Sequence, residues 1–182
     1  MQLAEPDRAV TLGGFPQSRG ELDWFDLIVL GDVAPASWPA GLSAAVHSLV
    51  VESGKSLLYL AGPNLGRVVE DPYLASLLPV ELTPESARPV EGPIEVRPGS
   101  AAVGAAFFYT PGGTAIRWGD LPPMDQIYAP LRKKPAATVL LEAVEHANPF
   151  GKLIAMAEHT VGRGRVLYVG ADTLWKWQML PA

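Results

Sequence analysis

Four polar residues in this sequence lie just past short apolar runs, where a layered α/β fold gathers its ligands: Asp32, Asn64, Asp172 and Thr173. An amide, a hydroxyl and two carboxylates there are candidates for holding a small ligand. If Asp32 and Asp172 converged, they could also share a metal or activate water. No cysteine is present, which excludes disulfides, thiolate metal sites and thiol catalysis together. The three histidines, His47, His146 and His159, include no pair at the i, i+4 spacing of a helical metal site. Their expected places are a helix for His47, a loop for His146 and the neighbourhood of a hairpin turn for His159, beside Glu158. Gly54-Lys-Ser56 suggests a phosphate loop, but Leu49 stands where that pattern requires glycine, and a strand follows where it requires a helix. Lys55 is therefore read as a surface residue at a turn.

The elements that would position these residues follow from periodicity. Leu27-Ile-Val-Leu30 is a continuous apolar run that suits a strand buried on both faces of a parallel sheet. Ser37 is a candidate helix cap with Pro39 in the first turn. Leu42, Ala45, Val46, Leu49 and Val50 then form one apolar face, and Gly54 stops the helix. Leu57 to Ala61 is a second buried strand, which completes a β-α-β unit. Tyr73 to Leu78 reads as a short helix and Pro79 to Leu82 as a small edge strand. From Thr83 to Lys134 prolines recur, and only Ile94 to Arg97, Ala105 to Tyr109 and Ala115 to Trp118 read as extended within a meandering connection. Ala137 to Ala143 is a strand. Lys152 to Thr160 and Arg165 to Gly170 form a hairpin around Val161-Gly-Arg-Gly164. Asp172 or Thr173 can cap a last helical turn carrying Trp175 and Trp177, one for the core and one for a neighbour.

Composition bounds the whole. The 182 residues are 48% hydrophobic and 18% charged, enough for a single domain spanning 1–182 with a real core. The 18 glycines and 18 prolines predict many turns. A formal charge of -5 argues against a nucleic-acid partner, and the basic run Arg132-Lys133-Lys134 reads as a solvated loop. No apolar run is long enough to span a bilayer, and the first residues lack the pattern of a signal peptide.

Several phrases in order carry a resemblance: Gly14-Phe-Pro-Gln-Ser-Arg-Gly-Glu-Leu22, Phe25-Asp-Leu-Ile-Val-Leu-Gly-Asp32, Leu57 to Asn64, Leu77-Leu-Pro-Val80, Gly162-Arg-Gly-Arg-Val166 and Ala171-Asp-Thr-Leu-Trp-Lys-Trp177. Together they resemble the class I glutamine amidotransferase-like domain of large uncharacterised bacterial membrane proteins that also carry a von Willebrand factor A domain. The resemblance implies a flavodoxin-like three-layer α/β sandwich with a mostly parallel sheet, a C-terminal β-hairpin and the family's first strand missing. It places Ala61 at the nucleophile's position, where a methyl group has no chemistry. It also places Gly170-Ala171-Asp172 where trehalose-utilisation-type relatives carry a histidine, so both catalytic positions are vacant.

The expected function is therefore a non-catalytic interaction or ligand-sensing module of a larger, envelope-associated protein, with no cofactor or metal. Its expected partners are neighbouring domains or another protein, without direct membrane insertion by this segment. The alternative is a cysteine-independent hydrolase using the carboxylates or a metal at the sheet's carboxyl edge. Loss of the first strand further predicts an open edge along Asp26 to Gly31 and self-association of the isolated chain.

Overall fold

The computed structural model describes residues 16, 18–102, 116–171 and 173–179. Along the chain run α1 (Arg19–Leu22), β1 (Leu27–Leu30), α2 (Leu42–Val51), β2 (Ser56–Leu60), α3 (Leu65–Val68), α4 (Pro72–Leu77) and β3 (Val80–Glu81). They continue with β4 (Val90–Ile94), β5 (Val96–Pro98), β6 (Met124–Ile127), β7 (Arg132–Lys133), β8 (Thr138–Asn148), β9 (Gly151–Val161) and β10 (Gly164–Val169). Short 3-10 turns fill several of the connections.

The main sheet has six strands in the order β1-β2-β10-β9-β8-β5. Only β1 with β2 and β2 with β10 are parallel; β10 with β9, β9 with β8 and β8 with β5 are antiparallel. This corrects the expected mostly parallel, flavodoxin-like sandwich. A parallel neighbour needs a long crossover, which α2 supplies once, whereas the two-residue turn between β9 and β10 and the short turn between β8 and β9 can only reverse the chain. β8 and β9, each of 11 residues, make a long hairpin and give the sheet its antiparallel half. Two small antiparallel sheets, β3 with β7 and β4 with β6, complete the strands.

Alternation along the strands divides the core in two. Ile28, Leu57, Tyr59, Val166 and Tyr168 face α2, α3 and α4, against Leu42, Val46, Leu49, Leu65, Val68 and Leu74. The opposite face, with Met156, Val169 and Leu141, packs on Ile94, Met124 and Ile127 from the small β4–β6 sheet, joined at its margin by Trp118 and Trp177. The described residues of the expected meander thus hold four strands, and β5 joins the main sheet through Val96 opposite Ala143. Prolines remain at tolerated places: Pro93 lies in the irregular two-stranded sheet and Pro98 ends the outermost strand. Residues 105–109 lie outside the described residues.

Other expectations shift in detail. α2 begins after Gly41, whose φ of 82° supplies the left-handed cap, while the Ser37 hydroxyl donates to the Ala34 carbonyl at 2.7 Å in a separate turn. Lys55 is a clamp rather than a surface residue. Its ammonium donates to the Asp23 carbonyl at 2.7 Å and lies 3.8 Å from an Asp26 carboxylate oxygen, tying the entry of β1 to that of β2. The basic run is also ordered: Arg132 binds Glu81 at 2.8 Å, and Lys134 donates to the carbonyls of Ala75 and Ser76 at 2.8 and 2.9 Å. Lys134 thereby satisfies the C-terminal end of α4, whose other end is capped by Asp71 through the Tyr73 and Leu74 amides.

The β9–β10 turn presses against the α2–β2 connection. A Cβ on Gly164 would lie 2.3 Å from the Lys55 carbonyl oxygen and 2.5 Å from that of Val50, both backbone atoms. Gly164→Ala is expected to cost about 1–3 kcal/mol or more, read as a lowered urea midpoint with an unchanged slope. An unchanged midpoint would show that the turn is free to move away.

Candidate functional site

The carboxyl ends of β1 and β2 do bring Asp32 and Asn64 together. Asp32 Oδ1 accepts from the Asn64 backbone N–H at 2.8 Å, and Asn64 Nδ2 donates to Asp32 Oδ2 at 2.9 Å and to the Asp32 carbonyl at 3.3 Å. Gly62 makes this approach possible, since a Cβ there would lie 2.5 Å from Asp32 Cγ. The pair staples the loop after β1 to the turn after β2. Both carboxylate oxygens are spent on that staple, as expected of an aspartate capping a turn.

Ala61 is fully buried, and its N–H donates to the Val169 carbonyl at 2.8 Å, continuing the β2–β10 ladder. The position that the resemblance assigns to a nucleophile is thus inside the core. Thr173 opens the last 3-10 turn, its carbonyl accepting from the Lys176 N–H at 3.1 Å. Among the described residues no hydrogen bond joins it to Asp32 or Asn64. Asp172, whose convergence with Asp32 the alternative hydrolase reading requires, lies outside the described residues. Among the described residues no three His, Asp or Glu side chains come together as metal ligands.

Beneath Asp32 lies a feature the sequence reading passed over. Tyr59 and Tyr168 are register partners on adjacent parallel strands, and their rings stack 6.3 Å apart with planes 6° from parallel. The Tyr168 hydroxyl donates to the Tyr128 carbonyl at 2.5 Å. The buried Tyr59 hydroxyl has no hydrogen-bond partner among the described residues. Burial, with the Asp32 charge added, pushes the Tyr59 phenol far above its ordinary value, and burial does the same for Tyr168, so both are neutral donors.

The histidines separate. His47 lies on α2 with its ring edge-on to Tyr73 at 5.8 Å, and His146 sits in β8 rather than in a loop. His159, in β9, is buried with Nε2 2.6 Å from the Leu77 carbonyl. A carbonyl only accepts, so Nε2 carries the proton, and His159 joins Lys134 in capping the end of α4. Burial lowers its pKa, the Leu77 carbonyl opposes that shift and Lys134 adds to it. Trp177 Nε1 donates to the Pro122 carbonyl at 3.0 Å and its ring meets Trp118 edge-on, giving it a place at the second core.

A cleft of about 420 Å³ opens beyond β1 and β2, between the Pro35 turn and α4, with Arg67, Glu70 and Tyr73 on its walls. Asp32 and Asn64 are not among its lining residues, and Asp71, which is, is occupied in capping α4. Of the residues that pointed to chemistry, Asp32 and Asn64 are therefore engaged with each other. What stands open instead is apolar. Val29, Leu58 and Leu167 are register partners in one row across β1, β2 and β10. Leu27 and Val29 are 50% and 52% exposed, and Trp24 beside them is exposed as well. The signal for this surface was the continuous apolar run itself, which suits a strand covered on both faces, whereas β1 is covered on one.

Neither the protein-family models nor the curated proteins give a match to this sequence. Among solved structures the fold is similar to a cytoplasmic protein from Salmonella typhimurium LT2, with a TM-score of 0.64 and 18% identity over 91% of this chain and 68% of that one. A second cytoplasmic protein from Salmonella typhimurium gives a TM-score of 0.63 and 17% identity over the same shares. Part of a cold-adapted β-galactosidase from Rahnella sp. R3 gives 0.54 and 11% over 86% of this chain and 21% of that one. At such identities the likeness is one of fold. The expected flavodoxin-like fold is corrected by the sheet, three of whose five strand pairings are antiparallel, and none of these likenesses supports the expected membrane association. Among the described residues no helix is long and apolar enough to cross a membrane.

Two measurements check this geometry. Tyr59→Phe removes a buried hydroxyl without a partner and is expected to raise stability by up to about 1–2 kcal/mol in urea unfolding; a loss of stability would show that the hydroxyl is satisfied. His159 is held below its ordinary pKa of 6.5, so its contribution is complete above that value and is lost as pH falls from there toward the depressed folded value. Between about pH 7.5 and 5 the wild type should therefore lose more thermal stability than His159→Gln. Parallel pH profiles for the two would contradict the assignment.

Proposed function

We propose that this chain is a non-catalytic interaction module that receives a β-strand from another polypeptide segment along β1, with the strand's apolar side chains covering Leu27 and Val29. The observation that carries this reading is the state of β1: an edge strand, paired with β2 alone among the described residues, with an open apolar face. Among the described residues no strand pairs with its outer edge, whose backbone donors and acceptors supply affinity for an added strand. Leu27 and Val29 supply the alternate contacts that select its side chains. Burial of Ala61 and the engagement of Asp32 by Asn64 support the non-catalytic half.

Without its partner strand the isolated chain is expected to self-associate through β1. Sedimentation over a wide concentration range should show a monomer–dimer equilibrium that Val29→Lys shifts toward monomer with little change in thermal midpoint, because Val29 is half exposed. A monomer at every concentration, with strong amide-exchange protection of Leu27 to Leu30, would mean that another segment already covers the edge and would overturn the reading. Glutaminase or esterase turnover lost in Asp32→Asn would overturn its non-catalytic half.

A further inference from the structure

At the far end of the sheet from β1, a cleft of about 340 Å³ lies between β7 and the end of the β8–β9 hairpin. Its walls carry Arg132, Lys133 and Lys152, a concentration of positive charge in a chain whose formal charge is -5. The one carboxylate on its wall, Glu142, is taken by Arg97 at 3.1 Å. Arg132 Nε is held by Glu81, and its guanidinium lies 5.3 Å over the Phe150 ring. The two lysines are different. Lys133 Nζ donates to the Ala137 carbonyl at 3.1 Å and to the Pro135 carbonyl at 3.5 Å, and Lys152 Nζ donates to the Val144 carbonyl. Neither has a carboxylate within ion-pair distance among the described residues.

Each ammonium carries three donors, so backbone carbonyls fix both lysines in place while leaving one donor on Lys133, two on Lys152 and the charge of both for a ligand. Fixed, unneutralised cations at a concave surface attract an anion, and charge-assisted bonds to it are stronger than neutral ones. Phe150, 55% exposed at the rim, adds a flat apolar face, and the floor includes Val139 and Ile154. The volume falls within the range of small-molecule sites.

We propose that this cleft binds a small organic anion, its carboxylate or phosphate group on Lys133 and Lys152 and a flat ring on Phe150. The site is independent of β1 and uses none of the residues at the sheet's carboxyl edge. The hydroxyl of Thr138, also on the wall, adds a neutral hydrogen bond to the anionic group.

Titration of the full chain with phenyl phosphate, benzoate, inorganic phosphate and neutral benzamide, followed by calorimetry and by amide NMR shifts, tests this. The expected result is saturable binding of phenyl phosphate or benzoate, with shifts centred on residues 132–133 and 150–152. Benzamide should not bind, and whichever of the two binds identifies the headgroup. The Lys133→Gln, Lys152→Gln double variant should weaken binding about tenfold or more, and Phe150→Ala should weaken the ring-bearing probes but not inorganic phosphate. Thermal midpoints of the variants verify that they fold, and the NMR map on the wild type stands without them. Absence of saturable binding at millimolar probe, binding unaffected by the lysine changes, or inorganic phosphate binding as tightly as phenyl phosphate would overturn the proposal.

Discussion

The seating of β10 beside β2 is the constraint on which the rest of the molecule depends. Among the described residues β10 alone is parallel to one neighbour and antiparallel to the other, so it joins the two halves of the main sheet. The turn that delivers it must pass close to the end of α2. Gly162, at φ 58°, packs on the Val51 carbonyl, and the Arg163 N–H donates to that same carbonyl at 2.9 Å. Only residues without a Cβ allow such an approach. Once the turn is seated, Tyr168 falls opposite Tyr59, and the N–H of Ala61 meets the Val169 carbonyl.

From that seating follows the state of the carboxyl edge. β1, β2 and β10 end side by side, and in a doubly wound fold such an edge is where ligands are held. Here the described residues of that edge are engaged with one another. Asp32 and Asn64 bind each other, Ala61 is buried, and Tyr59 and Tyr168 stack in the core. The same economy governs α4, a short helix whose last carbonyls are satisfied by Lys134 and His159, side chains brought from β7's exit and from β9. Asp32, Asn64, Lys134 and His159, polar residues that could be read as reactive, are therefore employed in joining loops and terminating elements.

The unspent potential lies at the two ends of the main sheet. At one end β1 has an open backbone edge and half-exposed Leu27 and Val29, because the small β4–β6 sheet covers the opposite half of that face. At the other end, two lysines anchored by carbonyls keep their charge unneutralised beside Phe150. One surface is apolar and strand-like, the other cationic and concave. They suit different partners and do not share residues.

Local pattern was enough to specify β1, α2, β2, α4 and the β9–β10 hairpin, because each is written in neighbouring residues: an apolar run, an i, i+3, i+4 face, or two extended runs about a glycine turn. It also brought Asp32 and Asn64 to strand ends, though it did not say that they would bind each other. Strand direction in the sheet, the pairing of β5 with β8 and the embedding of Tyr59 beneath Asp32 depend on contacts between residues far apart in the chain, which no local period encodes. The resemblance pointed to a mostly parallel sheet, and the long β8–β9 hairpin overturned it. Arg132, Lys133 and Lys134 show the division most plainly. Their charge was legible in the sequence, but only the tertiary structure assigned one to Glu81, one to the end of α4 and one to an open cleft, because a cation's role is set by which acceptors the fold places around it.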